Sequence, residues 1–551
     1  MKLSRLLFLR DWGLNLTRII TLLFVAISLY SSQKELDYYR ELSSNVDLFF
    51  NTYQQLNNKY VDSIDPRGFI LSGIKSMLET LDPYTILLEG RSKTHYDDLT
   101  KGKYGGIGVY IGTSGSDKRL TVVSPIDDSP ASKVGLKAGD RIMKIDDFDT
   151  KGLTSGNASK YLRGEKGSTV VLEIERIGEK RNLFFEIERD EIKINNVPYA
   201  GVVDGVGYIK VSQFSNGTSS DVKRELLSLL DSGVEGIILD LRFNPGGLLT
   251  SAVEITNLFL DRNKKIVSTR GKNNTLIKEY KTNKEPVSVT IPLVILINSS
   301  SASASEIVSG AIQDYDRGVI VGEGSFGKGL VQQIYNVNDT TSLKITIAKY
   351  YTPSGRLIQK LDYFSEHTKS IPSDTLSFFT ESGRVVKSGK GIIPDLSVKS
   401  KKYSDYIAFL RMKNCFNNFT YKFLKENQDY KFRGDIESFV VKEFKDYIKD
   451  LEIDFKLKSE ILLDSLKKIS NDTRVSELVD DIAAINNDIK SKLFDDNLKD
   501  IKNLLAIDFT TRFFGNRSKY KVMLNDDDQL NKAISIIKNR DEYFKLLEPI
   551  N

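Results

Sequence analysis

The sequence predicts a multidomain α/β protein: a layered α/β core, a small β-rich unit ahead of it, and helical regions at both ends. Three observations carry this. Between about 200 and 360, apolar strand-like runs alternate with helical patterns, which argues for helices layered on a sheet. Between about 102 and 190, short alternating strands are separated by Gly-rich turns. Before about 95 and after about 400, apolar residues recur at three- and four-residue steps, the helical period. At 551 residues the chain is too long for a single core.

Taken in order, Lys2, Arg5, Arg10 and Arg18 precede the apolar run Ile19–Tyr30. That run is shorter than the roughly 20 residues a bilayer-spanning helix needs. A basic flank before a short apolar stretch is the secretory pattern, so 1–31 is read as a signal peptide or membrane anchor. Ser31-Ser32-Gln33-Lys34 offers small residues but no clean cleavage site. Leu42, Val46, Phe49, Phe50, Tyr53 and Leu56 predict helix in the 32–100 region, interrupted at Asp65-Pro66 and Asp82-Pro83.

The β-rich unit, 101–190, opens with Gly105-Gly106-Ile107-Gly108-Val109. A strand at Leu120–Val123 follows, then a short helix at Ser129–Gly135 with Pro130 in its first turn. Gly139–Asp146 reads as turn then strand, and Thr169–Arg176 and Asn182–Arg189 close the unit. The core, 191–400, offers strands at Val206–Val211, Gly236–Leu241 and Pro292–Ile297, and near Val319, Val331 and Ile345. Helices are expected at Ser219–Leu230, Leu248–Leu260 and Ala304–Tyr315. Residues 401–551 are charged, poor in glycine and helical in period, with no recognisable chemistry of their own.

Composition removes several classes of function. The 79 basic and 74 acidic residues nearly cancel, to a formal +5, and give no electrostatic reason to expect nucleic acid. Cys415 is the single cysteine, so the chain forms no internal disulfide, and it reads as a bystander. His95 and His367 are the two histidines. Neither sits in a metal-ligand spacing, which argues against a zinc enzyme. A Cys–His or Ser–His hydrolase would have to use one of them, and both lie in polar, surface-like contexts.

Three motifs carry chemistry. Asn298–Glu306, Asn-Ser-Ser-Ser-Ala-Ser-Ala-Ser-Glu, follows an apolar strand directly. A serine at a helix N-terminus sits among unpaired N–H groups that can stabilise an oxyanion. Ser303-x-x-Glu306 is equally a capping box, in which the hydroxyl only satisfies a helix amide. Next, Lys328 stands in Gly324-Ser-Phe-Gly-Lys-Gly329, ahead of Gln332. A lysine becomes a general base when burial disfavours its ammonium. If the segment continues as strand, Lys328, Leu330 and Gln332 share a face, and Gln332 can orient the amine. A solvated lysine in a Gly-rich turn is the plainer alternative, and P-loop spacing is absent. Third, Asp240–Gly247 reads Asp-Leu-Arg-Phe-Asn-Pro-Gly-Gly. Its glycines can aim amides at a carbonyl oxygen, or simply make a turn.

As an ordered set, Arg242–Gly247, Ser301–Glu306 and Phe326–Gly329 with Gln332 closely resemble the carboxy-terminal processing (tail-specific) serine peptidases. Tyr350–Arg356 and Gly391–Asp395 also look like that family, and the resemblance spans roughly 45–396. The separation of Ser303 and Lys328, 328 − 303 = 25 residues, matches the family spacing, which that of Ser301 or Ser305 does not. Ser325 stands where a Thr is usual. The tail resembles the long extensions of some Bacteroidetes-like members.

The resemblance implies a crotonase/Clp-like protease core in 191–400, with the 101–190 unit an inserted PDZ domain. It implies Ser303 as nucleophile, Lys328 as base and Gln332 as its orienting partner. The amides of Gly246 or Gly247 and of Ala304 would form the oxyanion hole. Gly106, Ile107, Gly108 and Val109 would receive a C-terminal carboxylate, and the adjacent strand an extended peptide. The implied enzyme is an exported, periplasmic endopeptidase, soluble or anchored. It would act on unfolded or tagged proteins through their C-termini, with no metal or nucleotide cofactor. The helical tail offers a surface for homo-oligomer formation. Two other readings are a non-catalytic PDZ adaptor, which should have a broken Ser–Lys–Gln set, and a crotonase-like acyl-CoA enzyme, for which no basic CoA-binding cluster stands out.

Overall fold

A computed structural model describes residues 33, 36–114, 117–363, 369–370, 376–451, 454–469 and 473–549. The apolar run Ile19–Tyr30 and His367 lie outside them. The chain divides into two units, one ending at Leu87 and one beginning at Leu88. In the first, a helix spans 36–59. A second, Pro66–Glu79, starts behind Asp65, whose carboxylate accepts the N–H groups of Arg67 and Gly68 at 3.2 and 3.1 Å. Among the described residues no helix is long and apolar enough to cross a membrane.

The second unit holds the β-rich module, the core and the tail. In the module, β1 (Lys103–Gly106) pairs antiparallel with β7 (Asp190–Lys193). Between them β2 (Val109–Ser114), β3 (Arg119–Pro125), β4 (Arg141–Ile145), β5 (Thr169–Glu175) and β6 (Leu183–Glu188) form an antiparallel sheet in that order. Alternation puts Leu120, Val122, Ile142, Val170, Leu172 and Ile187 into its core. Helix α1 (Ser155–Leu162) adds Ala158 and Leu162. Strand β2 ends the sheet, directly after the Gly106–Val109 loop.

The core sheet runs β8-β9-β10-β11-β12-β15: Tyr199–Val203, Val206–Lys210, Ile237–Asp240, Leu293–Ile297, Val319–Gly322 and Leu396–Ser397. Only the β8–β9 pair is antiparallel. Parallel strands need cover on both faces. On one face lie α2 (Thr218–Asp231), α3 (Leu249–Asn257) and α4 (Ala304–Asp314), packed on Ile237, Leu239, Ile295 and Ile320. On the other, Tyr208, Ile238, Val294 and Val321 meet Leu530, Ala533, Ile534 and Ile537 of α7 (Asp528–Lys538). The tail thus supplies the second helical layer, which its charged sequence does not announce.

Beyond the sheet, β13 (Leu330–Asn338) and β14 (Thr341–Tyr351) form a long antiparallel hairpin. Strands Lys265–Arg270 and Leu276–Lys281 extend the same sheet. The latter two gave no sequence signal, because the second is mostly exposed and has no apolar alternation. The tail also contains α5 (Cys415–Glu426) and α6 (Leu498–Leu524), built around Phe416, Phe419, Phe423, Phe444 and Phe509. Cys415 is buried there, and burial pushes its thiol up to about 11. Asn414 and Asn417 donate from this layer to the Thr113 carbonyl of β2, at 2.9 and 3.3 Å.

Candidate active site

Strand β11 ends at Ile297, and the chain turns through Asn298–Ser303 into α4. Ser301 and Ser305 are fully buried, and their hydroxyls are engaged as donors, Ser301 to the Leu241 carbonyl and Ser305 to the Asn244 carbonyl, each at 2.9 Å. Ser303 differs. It is only half-buried, and its backbone takes φ 54° and ψ −110°, a conformation that L-residues rarely adopt. Such strain costs on the order of 1–3 kcal/mol and persists only where the surroundings impose it. A serine at a sharp strand-to-helix turn has its hydroxyl thrust outward beside the first helix amides, which suits a nucleophile.

Glu306 imposes that conformation. Its side chain is fully buried and gathers four donors. Oε2 accepts the N–H of Ser303 at 2.7 Å and of Lys328 at 2.9 Å. Oε1 accepts the Ser325 hydroxyl at 2.5 Å and the Gly327 N–H at 2.7 Å. Burial pushes its carboxyl up to about 7, while these donors pull the other way. The Tyr350 hydroxyl donates to the Ser303 carbonyl at 3.1 Å. The spacing Ser303-x-x-Glu306 signals a capping box, and the Glu306-to-Ser303 half of one is present. Sequence reasoning missed that the same carboxylate also holds the lysine loop.

That loop is fixed along its length. Phe326 N–H donates to the Ser301 carbonyl at 3.0 Å, and Gly329 N–H to Gln359 Oε1 at 2.7 Å. The Lys360 amine donates to the Ser325 carbonyl at 2.9 Å. Lys328 is half-buried and lies two residues ahead of β13. Gln332, on β13, donates its amide to Thr346 Oγ1 of β14 at 3.2 Å.

The turn after β10 lies against the serine. A Cβ on Gly246 would come within 2.8 Å of Ser303 Cβ and 2.7 Å of the Ala302 carbonyl, and φ is +100°. Only glycine fits there. Gly247 continues with φ +141° and faces Phe214. Asn244, fully buried, fixes the turn: Oδ1 accepts the Gly246 N–H at 2.9 Å, and Nδ2 donates to the Val211 carbonyl at 3.0 Å. Its backbone carbonyl accepts Ala302 N–H at 3.0 Å, tying the turn to the serine loop.

Below the turn is a buried charge cluster. Asp240 accepts from Tyr208 Oη at 2.6 Å, Lys210 Nζ at 3.1 Å and the Arg242 guanidinium at 2.6 Å. Burial alone drives the Asp240 carboxyl up, but Arg242, Lys210 and Tyr208 outweigh it and hold it well below the usual carboxylate range. Burial lowers the Lys210 ammonium.

In the β-rich module, Ile107 and Gly108 are held by their carbonyls, which accept Ala131 N–H at 2.8 Å and Ile126 N–H at 2.9 Å. Gly108 has φ +75°, and a Cβ there would stand 2.3 Å from Ser129 Cβ, so the loop requires glycine at this position.

His95 is exposed on the helix Arg91–Lys101. Among the described residues no group of three or more His, Cys, Asp or Glu side chains is arranged to hold a metal ion.

Known protein families match three parts of the chain. Residues 205–369 match peptidase family S41, and 105–187 match the PDZ domain family. Residues 395–537 match a family described as a probable PDZ-protease C-terminal helical domain. A carboxy-terminal-processing protease of Bartonella bacilliformis is 38% identical over 341 residues, 61% of this chain and 77% of that protein. The carboxy-terminal processing protease CtpA of Bacillus subtilis is 33% identical over 348 residues, 63% of this chain and 73% of that one. Among solved structures, the photosystem II D1 C-terminal processing protease is 27% identical, covering 63% of this chain and 86% of its own, with a TM-score of 0.34. The chain therefore belongs to peptidase family S41, as a serine-type protease that carries a PDZ domain and a C-terminal helical domain.

Proposed function

We propose that this protease is an endopeptidase that takes hold of protein substrates by their free C-termini and cuts upstream of them. The observation that carries the catalytic assignment is the strained Ser303, fixed by the same carboxylate that fixes the backbone of Lys328. In this reading Ser303 Oγ attacks the peptide carbonyl and Lys328, as the neutral amine, accepts its proton. The oxyanion is received by the amides of Ala304 and Gly247, since of the two glycines expected in this role Gly246 has its N–H taken by Asn244 Oδ1. The C–N bond breaks, Lys328 returns the proton to the leaving amine, and water activated by the same lysine hydrolyses the acyl-enzyme. Gln332 orients the lysine amine.

Substrate selection belongs to the PDZ module. The Gly106–Val109 loop receives the terminal carboxylate, and β2, as the end strand, accepts an extended peptide antiparallel to itself. Unfolded or tagged proteins are the substrate class, since only a flexible terminus can reach both sites. The basic flank and apolar run before residue 31 support export to the periplasm, soluble or anchored.

The test is cleavage of matched peptides ending in a free carboxylate or an amide, by wild type and by Lys328→Ala. Preferential cutting of the free-carboxylate peptide by wild type, abolished by the variant, is the expected result. Equal rates on both peptides would remove the C-terminal recognition. Binding without any shortened product would favour an adaptor.

A further inference from the structure

We propose that Asp527, in the C-terminal helical domain, is a positioning residue for catalysis: it grips Arg242 and thereby holds the Asn244–Gly247 turn over Ser303. This rests on the protease assignment above.

Arg242 is the first residue of the turn, and its guanidinium is nearly saturated. Nε and Nη2 donate to Asp240, at 3.0 and 2.6 Å. Nη1 and Nη2 donate to the two oxygens of Asp527, at 2.9 and 2.6 Å, and Nη1 also reaches Gln529 Oε1 at 2.9 Å. Two carboxylates thus clamp one planar cation from two edges, the geometry that fixes a guanidinium in direction as well as in place. One clamp comes from the strand that carries the turn. The other comes from a domain outside the protease fold.

Asp527 is itself immobilised. It caps α7, with Oδ1 accepting Leu530 N–H at 3.0 Å, and α7 is cemented to the sheet by Leu530, Ala533, Ile534 and Ile537. The charges balance as a set of four: Lys210 and Arg242 against Asp240 and Asp527. Lys210 Nζ also donates to the Arg242 carbonyl at 2.5 Å, so the backbone that leaves for the turn is part of the same cluster. Immediately after it Phe243 takes φ 58°, with its N–H on Asn298 Oδ1 at 2.9 Å.

Without the Asp527 carboxylate, a buried positive charge is left over, and Asp240 must serve both cations. Arg242 then shifts toward Asp240, the strained Phe243 is free to relax, and Gly246 moves relative to Ser303. Displacements of about 1 Å at a reacting centre are enough for large rate losses. Asp527 touches no substrate, so the loss belongs in kcat.

The experiment compares full-length wild type with Asp527→Asn and Asp527→Ser, both of which keep a helix-capping side chain. Expected are a kcat at least tenfold lower with KM within twofold, unchanged binding of a short free-carboxylate peptide, and retained folding by circular dichroism. Adding Gln529→Glu to Asp527→Asn returns a carboxylate to Nη1 and should recover part of the lost kcat. A folded Asn or Ser variant with wild-type kcat overturns the proposal. If neither folds, Asp527→Glu decides, since it keeps the charge but displaces it by one methylene: a several-fold lower kcat supports the proposal, and wild-type kcat overturns it. Ser303→Ala is the control. A wild-type protein that cuts nothing defeats the protease assignment, whereas an active one indifferent to position 527 defeats only this inference.

Discussion

The backbone N–H groups of Ser303 and Lys328 converge on one oxygen, Glu306 Oε2, at 2.7 and 2.9 Å. The two residues proposed to exchange a proton therefore have their main chains registered through a single buried carboxylate. Pairing them by their side chains alone would leave two loops free to drift. Pairing through the backbone fixes the two loops against each other.

Glu306→Gln should lower kcat by at least tenfold while leaving the protein folded. The amide keeps one acceptor but turns a donor toward N–H groups that need acceptors. Glu306→Ala should do worse and also destabilise, because it strands several buried donors. Steady-state kinetics with thermal melts checks both, and an active Glu306→Gln would show that the shared oxygen is dispensable.

The same carboxyl predicts a slope of stability with pH. Its folded pKa, pushed up to about 7, exceeds the ordinary value of 4.5 expected unfolded. The folded state therefore holds the proton more tightly, so the stability it confers is full below about 4.5 and is lost as pH rises toward 7. Relative to Glu306→Gln, which does not titrate, wild type should lose on the order of 3 kcal/mol across that window. Denaturant titrations at pH 4.5 and 7 measure it; parallel curves for the two proteins would refute it.

Ser303→Gly and Ser303→Ala should both abolish cleavage, yet part company in stability. Glycine accepts φ 54° without a Cβ clash, whereas alanine retains the strain. The glycine variant should be more stable than the alanine variant by about 1 kcal/mol, the low end of the strain range. The opposite order would mean that the turn is not strained at this residue.

Gly246→Ala should cripple the enzyme even though the change is one methyl group. The new Cβ would press on Ser303 Cβ and the Ala302 carbonyl, at a φ of +100°. A loss of at least a hundredfold in kcat/KM, with destabilisation of about 1–3 kcal/mol from the strained conformation, is expected. A near-normal rate would show that the turn can retreat from the serine without consequence.

Much of this was legible in the chain. Strand runs such as Gly236–Leu241 announce themselves because burial on both faces demands mostly apolar residues, and a helix such as Ala304–Tyr315 by its apolar residues at three- and four-residue steps. Ser303 stands out through the resemblance to the family, whose Ser-to-Lys spacing it matches, and its odd backbone separates it physically from Ser301 and Ser305. Glu306 was legible only as a local cap, since a spacing of three says nothing about a loop twenty residues on. The grip on Arg242 was illegible altogether. Periodicity shows that α7 has an apolar face, but not which sheet it covers, and Asp527, the middle of the run Asp526-Asp527-Asp528 at a helix start, reads as a cap and nothing more.

Arg242 and Asp527 stand 285 positions apart. During translation the serine, the lysine and the whole parallel sheet leave the ribosome long before residue 527 exists. Until then the far face of that sheet is bare and the guanidinium has one clamp instead of two. On the proposed role of Asp527, a chain cut short before that residue lacks the second clamp and should be a poor peptidase.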